Sequence, residues 1–333
     1  VVTAKLDRSC RDGSKDGVHQ DGILDCQSSS EVRTMTSLQL ARTALNACVI
    51  LLSTLIHVPL LLLFAAFKLV APGVAAKRFF TRILMRLAES WIAVNSWLIN
   101  HLTPTRIDID PLPKLQSHGW YLVISNHQSW VDIPVLQMVF NKRVPMLKFF
   151  LKQQLIWVPL LGLAWWALDF PFMRRHTHAV LKKHPHLKGK DVEATRKACA
   201  KFRYTPVSVM NFVEGTRFTP EKHARRASPY QHLLPPKAGG VGFVLQTMGE
   251  LMHEMLDVSI VYPSGRPTML DLIAGRIPTV RVHVVSKPIP AELCGQDYEN
   301  DPAFRVRFQA WLNALWHEKD ITVQRMHVEN SQA

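Results

Sequence analysis

Residues Trp120–Asp132 read WYLVISNHQSWVD. The first half, WYLVIS (120–125), is a short apolar and β-branched run, the pattern of a strand covered on both faces. The second half places a histidine and an aspartate five residues apart, where that strand must end. In an unbroken helix such a spacing turns about 500° and leaves the side chains about 140° apart, out of reach of each other. A strand ending near Asn126, with a helix beginning around Gln128 or Ser129, folds His127 back onto Asp132. The carboxylate then accepts the Nδ1 proton, fixes the tautomer, and leaves Nε2 as a base. No G-x-S-x-G accompanies the pair, which favours a histidine that activates a substrate hydroxyl for attack on an acyl group. Taken alone, the pair also fits a chance surface histidine and aspartate.

Working outward, similar apolar runs occur at 106–110, 167–173, 205–213, 256–262 and 279–285, with room for helices between them. They are too apolar for half-solvated strands. The expected fold class is α/β, with a central mixed, largely parallel sheet covered by helices and preceded by an N-terminal membrane-anchoring helical segment. Asp191 is placed to cap a helix over 192–202, and FRVRFQAWLNALWHEK (304–319) reads as a closing amphipathic helix.

A second polar block, NFVEGTR (211–217), follows the run ending at Met210. Glu214, Gly215, Thr216 and Arg217 thus fall at another strand end, where glycine permits close backbone approach and arginine offers a fork for phosphate. Farther on, PPKAGGVGF sets Lys237 beside Gly239, Gly240 and Gly242, a cation next to amides able to form an anion nest. Each block alone is also explained by a glycine turn with solvated charges.

Upstream, Thr43–Phe67 contains no Asp, Glu, Lys or Arg. As a helix it would be about 37 Å long, against a hydrocarbon core of about 30 Å. The run reads as membrane-spanning, while His57 and Pro59 leave open a kinked hairpin dipping into one leaflet. Lys68, Lys77, Arg78, Arg82 and Arg86 follow it, which puts the C-terminal bulk in the cytosol, at the inner membrane if the cell is bacterial. LMRLAESWIAVNSWLIN, with Trp91 and Trp97, fits an interfacial or a core helix, and LIWVPLLGLAWWAL (155–168) fits an acyl-chain groove, an interfacial segment or core.

Residues 1–34 are polar and rich in Asp, Ser and Gly, and are expected to be disordered or a non-native extension, with Met35 as the start. The divisions that follow are 1–34, a membrane anchor with interfacial helices over 35–102, a catalytic domain over 103–325, and a tail over 326–333.

A formal net charge of +14 calls for an anionic partner. The absence of a zinc finger, RNP-type motif or basic zipper argues against nucleic acid, and the long apolar run favours lipid. Five scattered cysteines without a C-x-x-C pair argue against a disulfide framework or zinc ribbon. His253–Glu254 and His317–Glu318 lack the second histidine of a zinc-binding H-E-x-x-H, so no metal is expected. The stretch RRHTHAVLKKHPHLKGK (174–190) reads as a solvated basic loop rather than a metal tract.

Together, NHQSWVD, FVEGTR, the intervening VPLLGLAWWALDFPFMRR and the terminal proline of VSIVYP at Pro263 resemble, in order, the blocks of the lysophosphatidic acid acyltransferase (1-acylglycerol-3-phosphate acyltransferase) family. The chain differs from the family pattern at Val213, where proline is usual, which should loosen the entry to the Glu-Gly-Thr-Arg turn. It differs also in a longer interval from Gly162 to Arg174. The resemblance implies a membrane-bound enzyme moving a fatty acyl group from acyl-CoA or an acyl-carrier protein to the sn-2 hydroxyl of a lysophospholipid, most simply 1-acylglycerol-3-phosphate. Another lysophospholipid or glycerol-3-phosphate is the alternative acceptor, and a non-catalytic basic membrane-binding protein is the rival outside enzymes. The resemblance further makes His127 the general base and Asp132 its orienting partner, with Glu214, Gly215, Thr216, Arg217, Lys237 and Arg174 as acceptor-binding residues. No cofactor is implied beyond the acyl donor.

Overall fold

The structure is a computed structural model that describes residues 36–173, 202 and 205–328. The expected extension 1–34, Arg174, the basic loop 174–190 and, apart from Phe202, the helix over 192–202 lie outside the described residues.

Two long helices come first, α1 (Ser37–Val70) and α2 (Gly73–Leu102). Among the described residues eight strands follow: β1 (Arg106–Ile109), β2 (Tyr121–Ser125), β3 (Leu147–Phe149), β4 (Leu151–Lys152), β5 (Phe172–Met173), β6 (Ser208–Phe212), β7 (Glu254–Val261) and β8 (Thr279–Lys287). Interspersed are α3 (Asp132–Phe140), α4 (Leu161–Ala167), α5 (Pro220–Arg225), α6 (Ala238–Met248) and α7 (Met269–Ile273), and α8 (Pro302–Val328) closes the fold. The main sheet runs β1-β8-β7-β2-β6-β3, parallel except at the β7–β8 pair, with β4–β5 as a separate ladder.

The run WYLVIS becomes the middle of this sheet because every residue of β2 is buried. Leu122 and Ile124 face one core, with Val241, Val244, Phe308 and Trp316 from α6 and α8. Tyr121 and Val123 face the other, with Leu98 and Ile99 of α2 and Val135, Leu136 and Val139 of α3. Alternation of side chains across the pleat thus delivers one apolar strand to two helical layers.

The expected strand over 167–173 shrinks to Phe172–Met173. Its first part is the end of α4, whose Ala164 and Ala167 pack on Val58, Leu61 and Ala65 of α1 and on Leu84 and Ala88 of α2. Asp169, at φ 61°, ends that helix and re-aims the chain. The three-residue β3 was not anticipated from the sequence. Helix α8 continues to Val328, beyond the expected boundary at 325.

Helix α1 opens with a reciprocal cap between Thr36 and Gln39 and runs through Pro59. His57 is satisfied by Ser53 of its own helix and by Ser90 of α2, at 3.2 Å from Nε2. By length and composition α1 is apolar enough to cross a membrane, and Leu51, Leu52, Leu55, Ile56 and Leu63 are exposed along it. It is also tied to the α/β body near both ends. Asn46 Nδ2 donates to Ile273 O at 2.7 Å, and Lys68 Nζ lies 2.7 Å from Asp169 Oδ2.

Candidate active site

His127 and Asp132 meet as the sequence predicts, by a different local route. Helix α3 begins only at Asp132, after an irregular link from Asn126. Asn126 is fully buried and extends the sheet with its side chain, donating from Nδ2 to Ile260 O and accepting from Ile260 N at Oδ1, both at 2.9 Å. The next backbone donors do not start a helix, because the Gln128 and Ser129 amides donate to Asp132 Oδ2 at 2.7 and 3.0 Å. Ser129 Oγ accepts from the Val131 amide at 3.0 Å and donates to Pro267 O at 2.5 Å, fixing the entry to α3.

In this loop His127 Nδ1 lies 2.8 Å from Asp132 Oδ2. The carboxylate is fully buried and the imidazole retains 12% exposure. Among the described residues Nε2 has no hydrogen-bond partner. The ring lies almost parallel to Phe212, centroids 3.9 Å apart, and Phe149 stacks on Phe212 in turn. A second histidine–aspartate contact, His283 with Asp110 at 2.6 Å, has its carboxylate 56% exposed at the β1–β8 edge. Burial and the ring of donors distinguish the pair at His127.

The fourth donor to Asp132 is Tyr262, whose hydroxyl reaches Oδ1 at 2.6 Å. Burial first, and then the Asp132 charge, hold the phenol well above its ordinary range, so it remains a donor. Tyr262 sits in VSIVYP one position before the proline, and nothing local marks it as a partner of a residue 130 positions away.

Loop 211–217 docks on the same place. Glu214, expected among the acceptor-binding residues, is instead turned inward and fully buried. Its Oε1 accepts the His127 amide at 2.8 Å and its Oε2 the Leu234 amide at 2.9 Å. Burial pushes this carboxyl up to about 8 despite those two bonds. Glu214 therefore braces the backbone that carries His127. The His127 carbonyl accepts from the Phe218 amide at 2.7 Å, and the Arg217 guanidinium lies 4.9 Å from the centre of the Trp130 ring.

The departure at Val213 does not loosen this turn. Its amide donates to Ser125 O at 3.4 Å, a bond proline cannot make, and its carbonyl accepts the Lys237 amide at 2.8 Å. Gly215 takes φ 67°, and a Cβ there would stand 3.1 Å from Lys237 Cδ, so the lysine stem lies along the glycine. At Gly240 a Cβ would fall 2.3 Å from Asn211 Nδ2, which is why α6 can press its first turn onto the loop. Lys237 precedes that helix, and no side chain caps its first amides. Lys222 Nζ ties Thr216 Oγ1 and Arg217 O at 2.9 and 2.8 Å. Gly215 and Lys237 thus meet at the start of α6, with Thr216 and Arg217 next in the chain and tied by Lys222, an arrangement suited to an anion. Among the described residues no three His, Cys, Asp or Glu side chains are grouped to hold a metal ion.

A buried carboxylate fixing an imidazole at the carboxyl end of a central strand, beside a cationic helix start, defines a site for base-assisted attack near an anionic group. Residues 106–264, just under half of the chain, are similar to the Acyltransferase family model. It is 25% identical over 191 residues to 1-acyl-sn-glycerol-3-phosphate acyltransferase gamma of Mus musculus, covering 54% of this chain and 45% of that protein. It is 23% identical over 261 residues to the delta protein of Rattus norvegicus, covering 73% and 64%. With lysocardiolipin acyltransferase 1 of Danio rerio it shares 28% over 134 residues, covering 37% and 32%. The chain therefore spans about a third to two thirds of the length of these curated relatives. Among solved structures, the 1-acyl-sn-glycerophosphate acyltransferase PlsC of Thermotoga maritima is similar at TM-score 0.38 and 18% identity, over 79% of this chain and 97% of that one.

Proposed function

We propose that the chain is a membrane-bound O-acyltransferase that moves a fatty acyl group from an acyl thioester to the sn-2 hydroxyl of a lysophospholipid, with 1-acylglycerol-3-phosphate as the acceptor. The observation that carries this reading is the 2.8 Å contact between His127 Nδ1 and the fully buried Asp132 carboxylate, which leaves Nε2 as the open nitrogen. In the reaction Nε2 takes the acceptor's hydroxyl proton as its oxygen attacks the thioester carbonyl. Collapse of the tetrahedral intermediate breaks the C–S bond, and the imidazolium returns the proton to the departing sulfur. Asp132 holds the ring and offsets its charge while it carries the proton. Gly215, Thr216, Arg217, Lys237 and the first turn of α6 bind the acceptor's phosphate, with Arg174 as a further contact. Glu214 acts behind them as a brace.

The donor is acyl-CoA or an acyl-carrier protein, and the chemistry needs no cofactor besides. A lysophospholipid with another headgroup is the second reading, favoured by the similarity to a lysocardiolipin acyltransferase. The membrane reading rests on α1. From Asn46 to Lys68 the helix covers about 33 Å, close to the hydrocarbon thickness of about 30 Å. A spanning helix would put those two residues on opposite sides of the bilayer, but both bond to the same α/β body. This favours α1 lying in one leaflet with its exposed leucines in lipid, and the basic residues that follow it favour the cytosolic leaflet.

His127→Ala tests the proposal. Acyl transfer from acyl-CoA to 1-acylglycerol-3-phosphate should fall by about 10² to 10⁴, with membrane association unchanged. Undiminished transfer by that variant would dismiss the histidine as base.

A further inference from the structure

We propose that a cleft between α2 and the amino ends of β2, β3 and β6 binds the phosphate of an anionic phospholipid headgroup, separately from the site that receives the acceptor. The cleft has a volume of about 540 Å³, within the ordinary range for ligand sites. Arg78, Arg82 and Arg86 line one wall. Spaced four residues apart, they share one face of α2, while Leu84, Ala88 and Ile92 on another face are buried and hold the helix in place. The opposite wall brings His118 from the approach to β2 and Lys142 from the turn after α3. Lys142 is held at φ 62°, a backbone conformation seldom adopted by a side-chain-bearing residue. Glu89 is the one carboxylate lining this cleft among the described residues.

None of the four permanent cations, Arg78, Arg82, Arg86 and Lys142, forms a salt bridge among the described residues. Four like charges facing one volume repel each other, and a phosphate between them relieves that repulsion while matching the planar forks of the arginines. The neighbouring surface identifies the carrier of the phosphate. Val74 and Phe79, on α2 next to the arginine stripe, are exposed. Apolar side chains beside a basic cleft suit the boundary between acyl chains and headgroups. The cleft lies at the other end of β2 from the base: His118 precedes the amino end of that strand and His127 follows its carboxyl end, with five strand residues, about 17 Å, between them.

The test titrates the purified full-length chain onto phosphatidylcholine vesicles with and without phosphatidylglycerol, reading cosedimentation. The chain should bind the anionic vesicles about tenfold or more tightly. Arg78→Gln/Arg82→Gln/Arg86→Gln should abolish that preference, and Lys142→Gln, on the far wall, should cut it several-fold. Arg305→Gln/Arg307→Gln removes two exposed charges from α8 and should leave it intact. Equal loss in that control would reduce the effect to diffuse attraction and overturn the cleft, as would an unchanged preference in Lys142→Gln. If millimolar inorganic phosphate erased the preference where ionic-strength-matched chloride did not, the site would take soluble phosphate and the lipid assignment would fall. Transfer measured in detergent separates this from the reaction: the cleft variants keep it, whereas His127→Ala loses it and keeps the vesicle preference.

Discussion

Asp132 and Glu214 are both fully buried carboxylates, on two loops that meet at the backbone of His127, and the protein surrounds them differently. Asp132 receives four donors: two backbone amides, the imidazole and a phenol. Glu214 receives two, both backbone amides. Two bonds do not replace the water lost on burial, and the Glu214 carboxyl rises to about 8. The contrast separates their contacts: the carboxylate with many donors holds a titratable side chain, and the other holds main chain.

The sharpest way to break this comparison is Asp132→Asn. An amide cannot serve as acceptor for every donor at this position, and its own N–H₂ would face donors. Transfer should fall by about 10³ to 10⁴, seen in kcat with soluble substrates, while the far-ultraviolet dichroism stays native.

Glu214→Gln should act on stability. The folded carboxyl titrates near 8 against an ordinary 4.5, so the native state holds its proton more tightly than the unfolded chain. That contribution is fully present below about 4.5 and is lost as pH rises through about 8, a change on the order of a few kcal/mol. Denaturant melts from pH 5 to 9 should show wild type losing stability toward the alkaline end more steeply than the glutamine variant. Equal slopes would mean that Glu214 is ionised in the fold after all.

Tyr262→Phe gives the smallest effect and the finest distinction. Loss of one donor leaves Asp132 Oδ1 unpaired in a dry site and strengthens the carboxylate's hold on a protonated imidazole. We expect kcat/KM to drop about tenfold and the acid limb of its pH profile to move to higher pH. A packing role alone would lower the rate without moving that limb.

The site was legible where its physics is local. The spacing from His127 to Asp132 allows contact only if the helix is interrupted, and the sequence shows the strand end that interrupts it. Tyr262 was not legible, because its hydroxyl reaches Asp132 through the pairing of β2 with β7 and no short-range pattern encodes that register. Glu214 was legible in position and misread in direction, since a carboxylate in a polar motif looks the same whether it faces solvent or backbone. The sheet was anticipated in five of its six strands; the sixth, β3, is three residues long and carries too little period to show. Helix α4 was read in part as strand because an apolar run facing α1 has the composition of either.

Phe212, lying face-on to the His127 ring at 3.9 Å, has one more effect. A flat aromatic wall leaves the imidazole no room to spin about its Cβ–Cγ bond, so the nitrogen turned away from Asp132 stays the same one. Any group that reaches that nitrogen must therefore come along the edge of the ring, because one face is already taken by carbon.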